Sequence, residues 1–423
     1  MIKKFLKRHS HVNWVLLDQG VISGVNFLTG LLIARFLGIE AFGVFTLVWM
    51  AVLFVSSIQT ALIISPMMSI ASKINENDLL AYYGAVLVQQ VIFAIVSMLC
   101  LVAGTKLSVY FFPDWKISDL VFPLSLASFF VLTQDFSRRL FFVQGRYFVA
   151  CVLDVVNYVG RLLLLIYFFI QDVLDVEFVL WGITVASVIT IFVSCFIHKG
   201  VRWDSLVFKN TIKRHFVSAR WLTGSALLQW LSGNLFIIVA ASVLGAVAIG
   251  ALKSAQNIMG ITHIFLQGLE NIVPTHASRY LHQAGKNTMV NYLSKVTFWS
   301  GIPMVIFSLL VSIYPEYILS TVFGEDYKGY GFVLRWYAVI YIIIFISFPL
   351  RMALRAMEKT SPDFFAYSLM SAFSIVIAKP IVESFGLHGV LIGMLLTGLI
   401  FFSTLLFFTK NVYSNYRCGV VVS

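Results

Sequence analysis

The chain has 423 residues, 60% of them hydrophobic and 12% charged, with a mean hydropathy of +0.91. Soluble proteins average about 45–50% apolar and about 25% charged residues, so a disordered chain and a water-soluble enzyme of this size are both excluded. A helical membrane span takes about 20 apolar residues, and the apolar content suits roughly a dozen of them. The net charge of +11 would suggest nucleic acid in a soluble protein. Here it reads as the excess of Lys and Arg that holds loops in the cytoplasm, and no nucleic-acid partner is expected.

Residues 1–13 are basic but lead into no short apolar core with a small-residue cleavage site, so they read as a retained cytoplasmic tail. Twelve apolar stretches follow, over 14–36, 42–64, 81–104, 119–137, 148–170, 176–197, 219–244, 247–273, 291–313, 331–350, 363–384 and 388–409. Their length and weak alternation speak against a β-barrel. With the N-terminus inside, the inner segments hold 21 Lys and Arg and the outer segments 4, and 5 more fall in or near spans. A missing or extra span would destroy that asymmetry, so both termini are expected in the cytoplasm. Trp14, Trp115, Trp203, Trp221 and Trp336 sit near span ends, as interfacial anchors do. Cys100, Cys151 and Cys195 lie in apolar runs and Cys418 in the tail, which implies no disulfide framework.

A basic connection, 198–218, divides the spans into bundles 14–197 and 219–409, with a tail at 410–423. Trp14, Leu37-Gly38 and Gly43 recur 207 residues on as Trp221, Leu244-Gly245 and Gly250, and Pro66 recurs 208 on as Pro274. Both halves start inside with an even number of spans, so the repeat is parallel. The expected fold is all-α: a polytopic membrane protein with twelve transmembrane helices in two six-helix bundles around a central cavity.

No phosphate-binding G-x-x-x-x-G-K-[ST] loop, H-E-x-x-H pair or G-x-S-x-G elbow occurs. Outer loops are short, and a membrane glycosyltransferase or polymerase usually needs a large one. The pattern points to a carrier rather than an enzyme, without a cofactor.

Ionisable residues in a span cost about 2.5–3.5 kcal/mol on insertion scales and should face protein or water. In the first span Gln19, Ser23, Asn26 and Gly30 share one helical stripe, with Asp18 beside it. That stripe suits either a cavity wall or a polar helix seam. In the fifth span Asp154, Asn157, Tyr158 and Arg161 share a face. Asp154 and Arg161 stand about 10.5 Å apart along the axis, which is long for a direct ion pair. The eighth span carries Lys253, Gln256, Asn257, Gly260, His263, Gln267, Glu270 and Asn271, a cavity wall or an interhelical network. Arg335 and Lys379 either serve a substrate or snorkel to the outer interface. Asp135, Arg138 and Arg139 read as a local ion pair. The cations Arg161, Lys253, Arg335 and Lys379, with Arg35, suit an anionic headgroup such as phosphate. The acids Asp18, Asp154 and Glu270 would offset that charge or bind a coupling proton or sodium ion.

The first two spans, with Asp18-Gln19, Ser23, Asn26-Phe27, Ala34-Arg35, Leu37-Gly38, Phe42-Gly43 and then Ser65-Pro66-Met67, resemble the N-terminal signature of bacterial polysaccharide and O-antigen flippases. These belong to the multidrug/oligosaccharidyl-lipid/polysaccharide exporter (MOP) superfamily. The resemblance implies a multi-pass protein of the bacterial inner membrane. It would carry an undecaprenyl-diphosphate-linked oligosaccharide from the inner to the outer leaflet by alternating access. It also implies membrane lipids, a glycan polymerase and a chain-length regulator as partners. Three readings compete: an ion-coupled drug exporter of the same superfamily, a glycan polymerase or ligase, and a passive scaffold of a glycan-assembly complex.

Overall fold

A computed structural model describes residues 10–115, 117–198, 200–359 and 361–415, without the side chains of 10–17, 114, 218, 271 and 415. The basic tail up to residue 9, Lys116, Lys199, Arg417 and Cys418 lie outside the described residues, as do the side chains of Trp14 and Asn271. Among the described residues, nine helical runs are long and apolar enough to cross a membrane. This is a multi-pass membrane protein.

The helices are α1 (Ser10–Gln59), α2 (Ser65–Ile70), α3 (Glu76–Phe111), α4 (Val121–Val143), α5 (Tyr147–Ile170), α6 (Val176–Ile197), α7 (Ser205–Leu244), α8 (Ala246–Ile313), α9 (Pro315–Phe323), α10 (Gly331–Ala356) and α11 (Ser361–Asn415). Three of the long runs are two spans each. Gly38 (φ 79°) breaks α1, Gly285 (φ 81°) breaks α8 and Gly386 (φ 55°) breaks α11. Glycine takes positive φ without the steric cost a Cβ brings, so these residues turn the chain where the sequence pattern expects loops. Nine runs with three breaks give the twelve expected spans.

Several helices outrun their apolar stretches. The eighth span was expected to end near Pro274, yet α8 continues past it to Gly285. The second is continued beyond Gln59 by a π-helical turn (Thr60–Ile64) and then α2, which has Pro66 in its first turn. Hydropathy marks where the hydrocarbon ends, whereas hydrogen bonding carries a helix on into water.

The chain forms two compact units, residues 1–227 and 228–423. In the first, α4 packs against α3 and α6, and α5 against α1 and α6. A polar clasp ties three spans beside the π turn: Gln59 donates to Gln90 Oε1 (2.9 Å) and to the Leu132 carbonyl (2.7 Å). In the second, α10 packs along α8 and α11. Contacts at the helix ends show the alternation of loops. Phe36 stacks on Phe169 at one end of the first unit, while Arg146 donates to the Ile197 carbonyl at the other. In the second unit Phe332 stacks on His388 at one end, and Lys286 donates to the Tyr413 carbonyl at the other.

Within the expected basic linker 198–218, Arg202 and His215 pack on the first unit. The Arg202 amide donates to the Leu80 carbonyl, and a Cβ on Gly84 would overlap the Arg202 carbonyl oxygen. Asp204 accepts from the Leu206 and Val207 amides, an N-cap that starts α7 ahead of the apolar run. His215, fully buried, lies 2.9 Å from the Tyr82 hydroxyl. We call this the linker end of the unit.

Burial and the neighbouring Arg214 hold the His215 imidazole at about 4, against an ordinary 6.5. A lowered value means that the docked ring is neutral. Its contribution to docking is complete above about pH 6.5 and declines as pH falls toward about 4, because the undocked ring gains a proton that the docked one refuses. Hydrogen exchange over residues 205–218, corrected for intrinsic rate, should therefore show less protection at pH 5 than at pH 7.5, and His215→Phe should remove that difference. Gly84→Val should cost about 1–3 kcal/mol through overpacking, read as a lowered midpoint of thermal unfolding.

Candidate functional site

Arg138, near the linker end of α4, gathers three carboxylates. It donates to Asp18 Oδ2 of α1 at 2.6 Å, pairs with Asp154 Oδ2 of α5, and lies 3.5 Å from Asp135 one turn back on its own helix. Gln134 donates to the other Asp154 oxygen at 3.0 Å, and the Phe142 ring covers the guanidinium at 5.1 Å. Asp18 is 1% exposed and Asp154 0%. The planar five-donor fork of Arg suits such a junction. Sequence reading gave Arg138 a local partner only. The Asp135 contact is present, but the stronger contacts reach across 120 and 16 residues, and no periodicity announces those.

The second unit repeats the device. Arg351 of α10 pairs with Asp363 of α11 (3.3 Å) and with Glu270 of α8 (3.1 Å), and Arg355 reaches Glu270 at 3.7 Å. Arg351 and Asp363 stand 213 and 209 residues after Arg138 and Asp154, and they join the same pair of spans within their unit. Gly38 and Gly245 also share one backbone geometry, φ 79° and ψ 178° against φ 81° and ψ −173°. The internal repeat expected from a few residues thus recurs in an ion pair and a turn.

The expected ion-coupling acids Asp18, Asp154 and Glu270 therefore all lie against arginines that were not among the expected site residues. The expected cations are placed differently. Arg161 is 8% exposed, donates to Ser187 Oγ at 3.1 Å and lies over the Tyr158 ring at 4.9 Å. Among the described residues, its Nε and both amide atoms of the buried Asn157 find no hydrogen-bond partner. Arg161 borders a small void with Thr29, Leu165 and Gly182. Lys253 is half-buried and donates to Gln256 Oε1 at 2.8 Å. Among the described residues, no carboxylate lies within 4 Å of either cation.

Arg335 is exposed and donates to the Ser312 carbonyl at 3.1 Å. Lys379 is exposed and lies 3.7 Å from Glu383 one turn on. Arg35 is exposed near the Gly38 break. Gln19 and Asn26 are exposed and Ser23 is half-buried, with Gln19 donating to Ser23 at 3.3 Å. In α8, Asn257 is half-buried, while His263 and Gln267 are exposed and 3.3 Å apart. Both polar stripes thus keep an open face. The structure does not bring the five cations together within one unit: Arg35 and Arg161 belong to the first, Lys253, Arg335 and Lys379 to the second.

The MatE family profile matches residues 222–381. No curated protein sequence matches the chain. Among solved structures, an inward-facing multidrug resistance MATE family transporter of the MOP superfamily aligns over 93% of this chain and 96% of its own, with TM-score 0.69 and 12% identity. The lipid II flippase MurJ in an inward closed conformation aligns over 94% and 87%, with TM-score 0.72 and 14% identity. A point mutant of the Vibrio cholerae MATE transporter VcmN aligns over 98% of each chain, with TM-score 0.64 and 16% identity. The chain has the MATE transporter fold. That fold is all-α and two-lobed with twelve helices, as the spans and glycine breaks require, and it is shared by a drug transporter and a lipid flippase.

Within this MATE fold each arginine junction ties helices of one unit together. Removing one partner of a buried pair leaves a charge uncompensated, at a cost of about 3–5 kcal/mol. Arg138→Gln should thus lower the midpoint of thermal unfolding more than Arg139→Gln. Asp18→Asn in the Arg138→Gln background should cost less than Asp18→Asn alone, the sign of coupling in a double-mutant cycle.

Proposed function

We propose that the chain is a transporter of the MOP superfamily. Within it, we propose a flippase for undecaprenyl-diphosphate-linked oligosaccharide, moving the repeat unit from the inner to the outer leaflet of a bacterial inner membrane by alternating access. The observation that carries this reading is the sorting of charge. The acids Asp18, Asp154 and Glu270 are each held by arginines at the helix ends, whereas among the described residues Arg161 and Lys253 have a hydroxyl and an amide as their hydrogen-bond partners. Charge kept without a counter-ion inside a span marks a substrate or ion pathway, and two unmatched cations select an anion. A diphosphate accepts charge-assisted hydrogen bonds from guanidinium and ammonium groups. The flippase-like residues from Asp18 to Met67 agree with that class, and the exposed amides on α1 and α8 suit sugar hydroxyls.

Arg161 is enclosed in this conformation, so substrate contact requires the helices around Asn157 and Ser187 to part. The unmet hydrogen bonds of Asn157 and of Arg161 Nε make that opening cheaper. Coupling to a proton or sodium ion belongs to the same proposal. The junction at Arg138 holds three carboxylates against Arg138 and Arg139, a formal excess of one negative charge that one such ion balances.

A second reading, an ion-coupled drug exporter, is favoured by the MatE match over 222–381. Transport by proteoliposomes separates the two. Arg161→Gln and Lys253→Gln should each slow translocation of a defined undecaprenyl-diphosphate oligosaccharide at least tenfold at normal protein levels, with Lys253→Arg partly active. Efflux of a cationic dye that survives both substitutions, with no glycolipid movement in the parent protein, would establish the exporter instead. In cells, loss of a flippase leaves single lipid-linked repeats on the cytoplasmic face, while loss of an exporter leaves glycan normal.

A further inference from the structure

The start of α7 has two unlike faces. Thr211, His215 and Ala219, each one turn from the next, are buried. The opposite face, formed by Leu206, Lys209, Lys213, Phe216, Val217 and Arg220, is exposed. Lys209, Lys213 and Arg220 follow at i, i+4 and i+11, a spacing that puts the three cations on one ridge. Leu206 (68% exposed) and Val217 flank the ridge on one side and Phe216 (65%) on the other. Residues 202–222 hold five Lys and Arg against one acid, and that acid, Asp204, accepts from two helix amides. Among the described residues, none of those five cations is in an ion pair.

Both anchor points of this segment lie where a span begins. The Arg202 amide meets the Leu80 carbonyl and His215 meets the Tyr82 hydroxyl, and the third apolar stretch starts at residue 81. Trp203 and Trp221, both exposed, bracket the face, as interfacial anchors do. An excess of Lys and Arg in loops sets orientation wherever those residues fall in the sequence. It does not require them on one helical ridge between large apolar side chains. That combination suits a helix held against a bilayer, with apolar groups at the acyl boundary and lysine stems reaching to the headgroups. Cations of one sign beside a span are drawn to anionic lipid over neutral lipid.

We propose that this face of α7 docks on the anionic surface of the bilayer at the linker end. Lys209, Lys213 and Arg220 take the phosphates of anionic phospholipids, and Leu206, Phe216 and Val217 enter the acyl boundary beside them. His215 fastens the segment to α3 from its buried side, while the exposed side gathers anionic lipid. The surface is separate from any transported substrate, and the proposal does not depend on the transport reading.

The test is fluorescence quenching by brominated lipids. The full-length chain, with its four natural cysteines changed to alanine, carries a bimane at Asn210→Cys, an exposed position beside the face. It is reconstituted in phosphatidylcholine containing brominated phosphatidylglycerol, and in phosphatidylglycerol containing brominated phosphatidylcholine at the same mole fraction. Brominated phosphatidylglycerol should quench about threefold more strongly or better. Changing Lys209, Lys213 and Arg220 together to Gln should make the two lipids equal, whereas Lys209→Arg with Lys213→Arg should keep the preference, with monodisperse elution showing that each variant folds. Salt at 1 M, where the screening length is about 3 Å, should weaken the preference without any substitution on the face. Equal quenching by the two lipids before the face is altered, or a preference that survives the triple change, would overturn the proposal. Quenching by neither lipid would also overturn it, because the face would then stand in water, as an acidic protein partner would require.

Discussion

A charge inside a bilayer has to be neutralised by a neighbour or kept for something that arrives. This constraint organises the molecule. At the linker end of the first unit one guanidinium draws carboxylates from α1, α4 and α5 together, and Arg351 joins α8, α10 and α11 in the second. Lipid gives helices no hydrophobic reason to associate, so packing and polar contacts between helices must do it. A buried junction of this kind adds little net stability over an apolar one, but it penalises any arrangement that separates the partners. Its role is to fix which helices are neighbours, so that the helices of each unit hold together.

The repeated arginine–aspartate pair bears on how such units work. In each unit the pair sits where the fourth or tenth span hands over to the fifth or eleventh, and a further carboxylate arrives from a different span, Asp18 of the first in one and Glu270 of the eighth in the other. The repeat therefore keeps the ion pair between two consecutive helices and varies the helix tied to it. The π turn of Thr60–Ile64 adds a second difference, because it follows the buried Gln59 clasp and π turns concentrate at functional positions.

The membrane spans were legible in the sequence because hydropathy is a local property and the solvent enforces it residue by residue. The loops collapsed into single glycines were half legible: Leu37-Gly38 and Leu244-Gly245 stood out as a repeat, but nothing in composition says that a turn needs only one residue at positive φ. The extension of α8 beyond Pro274 was not legible, since polar residues such as His276 and Arg279 look like loop once a hydropathy window falls. The arginine junctions were the least legible. Asp18 and Arg138 are 120 residues apart, and Arg138 had a plausible partner one turn away in Asp135. The missed signal was the recurrence of an arginine and an aspartate across the same turn in both halves, which takes an assumed repeat to notice. The placement of Arg161 went the other way: its spacing from Asp154 argued against a direct pair, and the structure gives Asp154 to Arg138 and Arg161 to Ser187.

This division of partners also decides which cargo the charge pattern favours. Had Asp154 served Arg161, the fifth span would carry no unmatched charge, and a neutral or cationic substrate would suit it as well as any other. With Asp154 committed to Arg138, the guanidinium of Arg161 has a hydroxyl and an aromatic face as its partners, neither of which cancels its charge. Lys253 is in the same condition beside Gln256. A cationic drug drawn past these groups meets repulsion in a medium too poor in solvent to screen it. A diphosphate meets the counter-charge that the protein withholds from its own cations. In the proposed flippase the folding cost of leaving Arg161 and Lys253 unmatched would be recovered each time an anion passed, which is the differential interaction that an alternating carrier needs to move one class of molecule and not another.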